Sequence, residues 1–167
     1  MLRRTLVAGL LFCLPSVGFA QRGSATPSIE GVWKIAERTD SAAPQLNGTA
    51  TQPSLMLFTK THYSVLSVQS LQPRPKVEPI KTAGKPTTGE KLARYEHWNL
   101  FVANAGTYEI KGTTLIRHQL VGITESVAGP AAGFTTSELK FEGNNTMWHI
   151  TKLQPSGERR VKYVRVE

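Results

Sequence analysis

Cysteine is almost absent from the 167-residue chain. The single one, Cys13, falls in an amino-terminal stretch, MLRRTLVAGLLFCLPSVGFA, with the parts of a secretory signal. Arg3 and Arg4 supply the basic end, Thr5 to Pro15 the short apolar run, and Val17 and Ala20 the small residues before a cut after Ala20. The apolar run is shorter than the ~20 residues a membrane span needs, which argues against an uncleaved anchor. Bulky Phe12 before Cys13 argues against lipidation there. The expected product is periplasmic or secreted, begins at Gln21 and has no cysteine. That excludes disulfides, thiolate metal sites and a cysteine nucleophile.

Aspartate is as scarce, with Asp40 alone in the whole chain. Long runs of one charge are missing too. Loss of Arg3 and Arg4 leaves 18 basic against 12 acidic residues, a formal charge of +6, but no Lys/Arg run exceeds Arg159-Arg160. No aromatic platform alternates with the basic residues, so nucleic acid is not an expected partner. Weak attraction to an anionic membrane surface or an anionic ligand fits the charge better. Neither a Gly-x-Ser-x-Gly elbow nor a glycine-rich phosphate loop occurs. His62, His97, His118 and His149 lack the local spacing of metal ligands, although His118 and His149 could converge inside a barrel. Glu96, His97, Glu109 and His118 are the candidate acid or base groups and read better as solvated faces. No catalytic set, metal site or cofactor is assigned.

What is present is a series of short β-rich runs. Gly31 to Ile35 alternates as a first strand, and Thr39 to Pro53 reads as a loop. Leu55 to Phe58 and Tyr63 to Val68 form a hairpin across a polar break. Four prolines between Leu71 and Pro86 exclude a helix or a central strand there, so 71–86 is a long loop. Thr87 and Glu90 have the spacing of a capping box, and Leu92, Tyr95, Trp98 and Val102 recur at helical spacing, predicting a helix over 87–102. Ala103-Asn104-Ala105-Gly106 reads as helix-stop chemistry. Strands follow at Thr107 to Ile110, Thr113 to Val121, Phe134 to Phe141, Thr146 to Thr151 and Arg159 to Val166. Lys111-Gly112 reads as the first tight turn, Gly122 to Gly133 as a loop, and Gln154 to Gly157 as the last turn. About eight short strands with one inserted helix predict an all-β, antiparallel, closed or nearly closed barrel in which the last strand meets the first.

Gly31-Val32-Trp33, Leu55-Met-Leu-Phe-Thr59 leading to His62-Tyr-Ser-Val65, Phe101-Val-Ala-Asn-Ala-Gly-Thr-Tyr108 and the ending Lys162-Tyr-Val-Arg-Val-Glu167 resemble the bacterial lipocalin-like domain family. The resemblance covers nearly everything from Ile29 onward. With the signal over 1–20 and a polar, proline-containing stretch over 21–28 that reads as a flexible terminus, the chain has one barrel domain over 29–167. The resemblance implies an internal cavity, carries over no catalytic set, and does not match at the proline-rich insertion 71–86. It also implies barrel closure at Gly31, Trp33 and Arg165, with the Trp33 indole packed under the Arg165 guanidinium.

Strand parity places Leu115 and Arg117 on one face and Ile116 and His118 on the other; Met147 and His149 likewise oppose Trp148 and Ile150. Which face meets the lumen is open at this point. The candidate ligand-binding residues are Tyr63, Trp98, Tyr108, Arg117, His118 and Trp148. Three functional expectations stand. The first is an exported barrel binding a small, largely hydrophobic ligand, with a filled core as its alternative. The second is a cell-envelope interaction protein using its exterior and the 71–86 loop. The third, from the resemblance, is a lipid-transforming isomerase or cyclase.

Overall fold

The computed structural model describes residues 27–74, 76–81, 84–123 and 134–167. The expected signal over 1–20, residues 21–26 and most of the loop after Gly122 lie outside the described residues. Among the described residues nine strands and one α-helix follow in order: β1 (Gly31–Asp40), β2 (Gly48–Thr49), β3 (Ser54–Phe58), β4 (His62–Val68), α1 (Thr88–Asn99), β5 (Phe101–Lys111), β6 (Thr114–Gly122), β7 (Phe134–Phe141), β8 (Thr146–Lys152) and β9 (Glu158–Arg165), with a short 3-10 turn at Pro44–Leu46. Each of β3 to β8 pairs antiparallel with the next, and β1 pairs with both β3 and β9. The sheet therefore closes as an eight-strand barrel, with two-residue β2 added along the far half of β1. Closure removes the long unpaired edges that an open sheet would present.

Alternation dictates which side chains fill the barrel. Trp33, Met56, Phe58, Tyr63, Val65, Leu115, Leu139, Met147, Val161 and Tyr163 are buried at every second strand position, and Tyr108 and Phe141 pack against them. Trp33, Leu115 and Met147 are fully buried and plug one end. Arg165 seals that end from outside. Its guanidinium stands 4.1 Å above the Trp33 ring and donates to the carbonyls of Ser28, Glu30 and Asn144. The Trp33 Nε1–H donates to Ile29 O at 2.8 Å, so the indole is held at face and edge. Gly31 has φ +127°, and a Cβ there would collide with Arg165 and the Glu167 carbonyl. In the β1–β9 register Trp33 stands directly opposite Arg165.

Four local expectations are corrected. The first strand does not stop at Ile35; it passes a bulge between Ile35 and Glu37 and reaches Asp40, because β9 pairs along its whole length. The helix ends at Asn99 rather than at 102. Phe101 to Gly106 is strand, since β4 pairs with it residue by residue from Val68↔Phe101 to Tyr63↔Gly106. The helix-stop reading of Asn104 and Ala105 therefore fails. Finally, the tight turn is Gly112-Thr113, between paired Lys111 and Thr114, with positive φ at Gly112. The capping box at Thr87 and Glu90 is formed in both directions.

Candidate functional site

The site grows from the inward positions next to the plugged end. Phe58, at the end of β3, stacks edge-on against Tyr108 with centroids 5.1 Å apart and lies 6.4 Å from Tyr63 and 6.3 Å from His149. His149 in turn lies 4.6 Å from Tyr163. These five rings from five strands form one continuous wall. Burial raises the hydroxyl pKa of Tyr63, Tyr108 and Tyr163 above the ordinary value, so all three stay neutral near pH 7. The Tyr108 hydroxyl donates to Thr59 O at 2.6 Å.

Into this wall projects a charge. The Arg117 guanidinium sits 5.4 Å from the Tyr63 ring centre, and its field also reaches His149 and Tyr163. Gly106, opposite Tyr63 in the β4–β5 register, is buried where β5 and β6 approach so closely that a Cβ would meet the His118 carbonyl. Arg117 Nε is buried with no hydrogen-bond partner, as are Ser137 Oγ and His149 Nε2. Among the described residues no carboxylate pairs with Arg117. Burial, and then the neighbouring Arg117 charge, push the His149 pKa well below its ordinary value, so this imidazole is neutral near pH 7.

The next level toward the open end is ionic. Asp40 is fully buried and its Oδ2 accepts from Arg38 Nη2 at 2.5 Å and from Arg159 Nε at 2.6 Å. Its Oδ1 accepts from the Ala42 N–H, while Asn47 Oδ1 accepts from the Asp40 N–H. Burial alone would raise this carboxyl; the hydrogen bonds from Arg38, Arg159 and Ala42 outweigh it and bring the pKa to about 2. Sequence reading missed this cluster. The β1 bulge shifts the alternation, so Arg38 and Asp40 point inward from a stretch that resembles a polar loop. At the rim, a cleft of about 40 Å³ is lined by Arg38, Ser54, Ser67 and Leu71 among others. That volume holds water rather than a ligand of several hundred Å³.

Of the expected ligand-binding residues, Tyr63, Tyr108 and Arg117 come together in the lumen. The other three stand outside it. His118 is exposed, 3.4 Å from Glu109, because it alternates with Arg117. Trp148 donates to Glu142 on the outer face with Lys162 over its ring, because it alternates with His149. Trp98 is exposed on α1, where it borders a surface cleft of about 360 Å³ with Tyr95, Phe101 and Ile123. A second outer cleft, of about 290 Å³, is lined by Leu66, Ala103, Ala105, Val121 and Ile123. The histidines do not gather, and among the described residues no three His, Asp or Glu side chains form a metal cage. No described helix is long and apolar enough to cross a membrane.

No protein-family model matches the sequence, and no curated protein matches it. Among solved structures, the chain is similar to an uncharacterized protein from Bacteroides eggerthii DSM 20697, at 8% identity over 81% of this chain and 98% of that one, with a TM-score of 0.44. It is similar as well to a lipocalin-like protein from Bacteroides uniformis ATCC 8492, at 10% identity over 81% of this chain and 96% of that one, with a TM-score of 0.43.

Proposed function

We propose that the chain is an exported barrel that holds a small, largely hydrophobic molecule in its lumen. The observation that carries this reading is the inward wall of Phe58, Tyr63, Tyr108, His149 and Tyr163, interrupted by a guanidinium at Arg117. A mostly apolar lining with a few placed polar groups is the composition of small-molecule sites. One sealed end and one rim of mixed apolar and polar side chains give such a molecule a floor and a side to enter from. Export rests on the amino-terminal sequence alone. Native mass spectrometry and solvent extraction of the protein recovered from the cell envelope test the reading. A co-purifying small mass that is lost on extraction supports it. A barrel with no such mass, which also takes up no apolar probe when offered one, overturns it.

The outer clefts support a second reading, in which the exterior meets another component of the envelope. Leu66, Val121, Ile123 and Trp98 are exposed apolar residues that line these clefts. Charge introduced there, as Leu66→Asp with Val121→Asp, leaves a lumen-bound mass in place and removes only an exterior contact. Loss of the bound mass in that variant favours the exterior as the binding face.

A further inference from the structure

We propose that Arg117, with Ser137 and His149, is the head-group subsite for an anionic amphiphile, a carboxylate carried on an apolar body. This rests on the lumen-binding reading and specifies its ligand. The lumen has more positive charge than its own residues neutralise. Arg38, Arg117 and Arg159 face one carboxylate, that of Asp40, whose Oδ2 is already shared by Arg38 and Arg159. Arg117 is left without an ion-pair partner among the described residues. A guanidinium cannot shed its proton, and that of Arg117 is half-buried with its Nε sealed and without a hydrogen-bond partner. The two nearby buried polar atoms without partners, Ser137 Oγ and His149 Nε2, are each able to donate a hydrogen bond.

Register places the three together. Arg117 is opposite Thr135, two residues from Ser137 on the same inward face of β7, and Leu139 on that face is opposite His149. A carboxylate accepts several hydrogen bonds at once and carries the missing charge. The five-ring wall supplies the apolar contact for the rest of such a molecule. An alcohol or an amine of the same length does not meet these demands: the first brings no charge and the second brings the wrong one.

The test titrates the purified full-length protein with dodecanoate, 1-dodecanol and dodecylamine below their aggregation limits, reading intrinsic tryptophan and tyrosine fluorescence and calorimetric heat. Dodecanoate is expected to bind about tenfold or more tighter than dodecanol, with dodecylamine weakest. Arg117→Gln brings dodecanoate down to the dodecanol affinity and leaves dodecanol unchanged. Lys162→Gln, which removes a charge outside the barrel, changes neither. Equal affinity for dodecanoate and dodecanol in the wild-type protein overturns the head-group assignment while leaving lumen binding intact. So does an unchanged dodecanoate affinity in Arg117→Gln. If none of the three binds, the assignment and the lumen reading fall together. Should Arg117→Gln fail to fold, the wild-type comparison of the three probes still decides, and Ser137→Ala supplies the variant, with a weaker dodecanoate affinity expected.

Discussion

Asp40 is the only aspartate in the chain and is fully buried, and two guanidiniums pair with it. Its carboxyl titrates at about 2 when folded, below the ordinary value of 3.8. A depressed carboxylate pKa adds stability that is complete above the unfolded value and is lost as pH falls through the folded one. The shift corresponds to roughly 2 kcal/mol. Asp40→Asn is therefore expected to lower the melting temperature at pH 7 and to flatten the acid loss between about pH 4 and pH 2, as followed by circular dichroism. An acid limb identical to that of the wild type would contradict the assignment. His149 acts at milder pH. Its folded pKa lies well below 6.5, so the unfolded chain takes up a proton first as pH drops. Its stabilising share is whole above about pH 6.5 and declines below it, toward the folded pKa. His149→Leu should remove that decline while keeping the ring wall apolar. Denaturant midpoints measured from pH 7.5 to 5 check it, and a variant with the same slope as the wild type refutes it.

At the scale of the element, the stretch from Phe101 to Lys111 is the most instructive. The bulge between Ala105 and Gly106 brings β5 and β6 so close that a Cβ on Gly106 would run into the His118 carbonyl. The obstacle is backbone, which has little freedom to yield. Gly106→Ala is expected to destabilise the barrel by roughly 1–3 kcal/mol, seen as a lower denaturant midpoint. Gly89→Ala, at an open position in the first turn of α1, should be neutral or slightly stabilising. If the two behave alike, the close approach at Gly106 is not real.

This same stretch marks where sequence reading stops. Small residues at 103–106 carry no strong period, and only pairing with β4 makes them strand. The Thr87–Glu90 cap is local chemistry and was legible. Alternation gave the two faces of β6 and β8 correctly but not which of Arg117 and His118 turns inward; that depends on closure with distant strands. The Arg38–Asp40–Arg159 cluster was hidden for a related reason, since the β1 bulge erases the period that would have exposed it.

On the scale of the whole molecule, the barrel is a cup with unlike ends. The sealed end concentrates its hold in one ring and one guanidinium. Trp33→Ala removes the buried indole, its hydrogen bond to Ile29 and the surface under Arg165. A loss of about 3–5 kcal/mol is expected, enough to lower the melting temperature by roughly 10 °C. An unchanged melting temperature would mean that the end is sealed by something else. The half-open end instead combines the Asp40 ion pairs with a cleft lined by Ile35, Leu46, Val68 and Leu71.

The pairing of β1 with β9 has a consequence in time. The bonds that join the two ends of the barrel, Arg159 to Asp40 and Arg165 to Glu30 and Ser28, span 119, 135 and 137 residues. A strand released early from a ribosome or a translocation channel must wait for a partner made last. Until Arg159 to Arg165 arrive, β1 and β8 are open edges, able to pair with any other chain nearby. Folding governed by such distant contacts falls in the millisecond-to-second range rather than the microsecond range. The same hydrogen bonds that make the finished barrel edgeless therefore make the unfinished one a dependent of whatever keeps neighbouring chains apart.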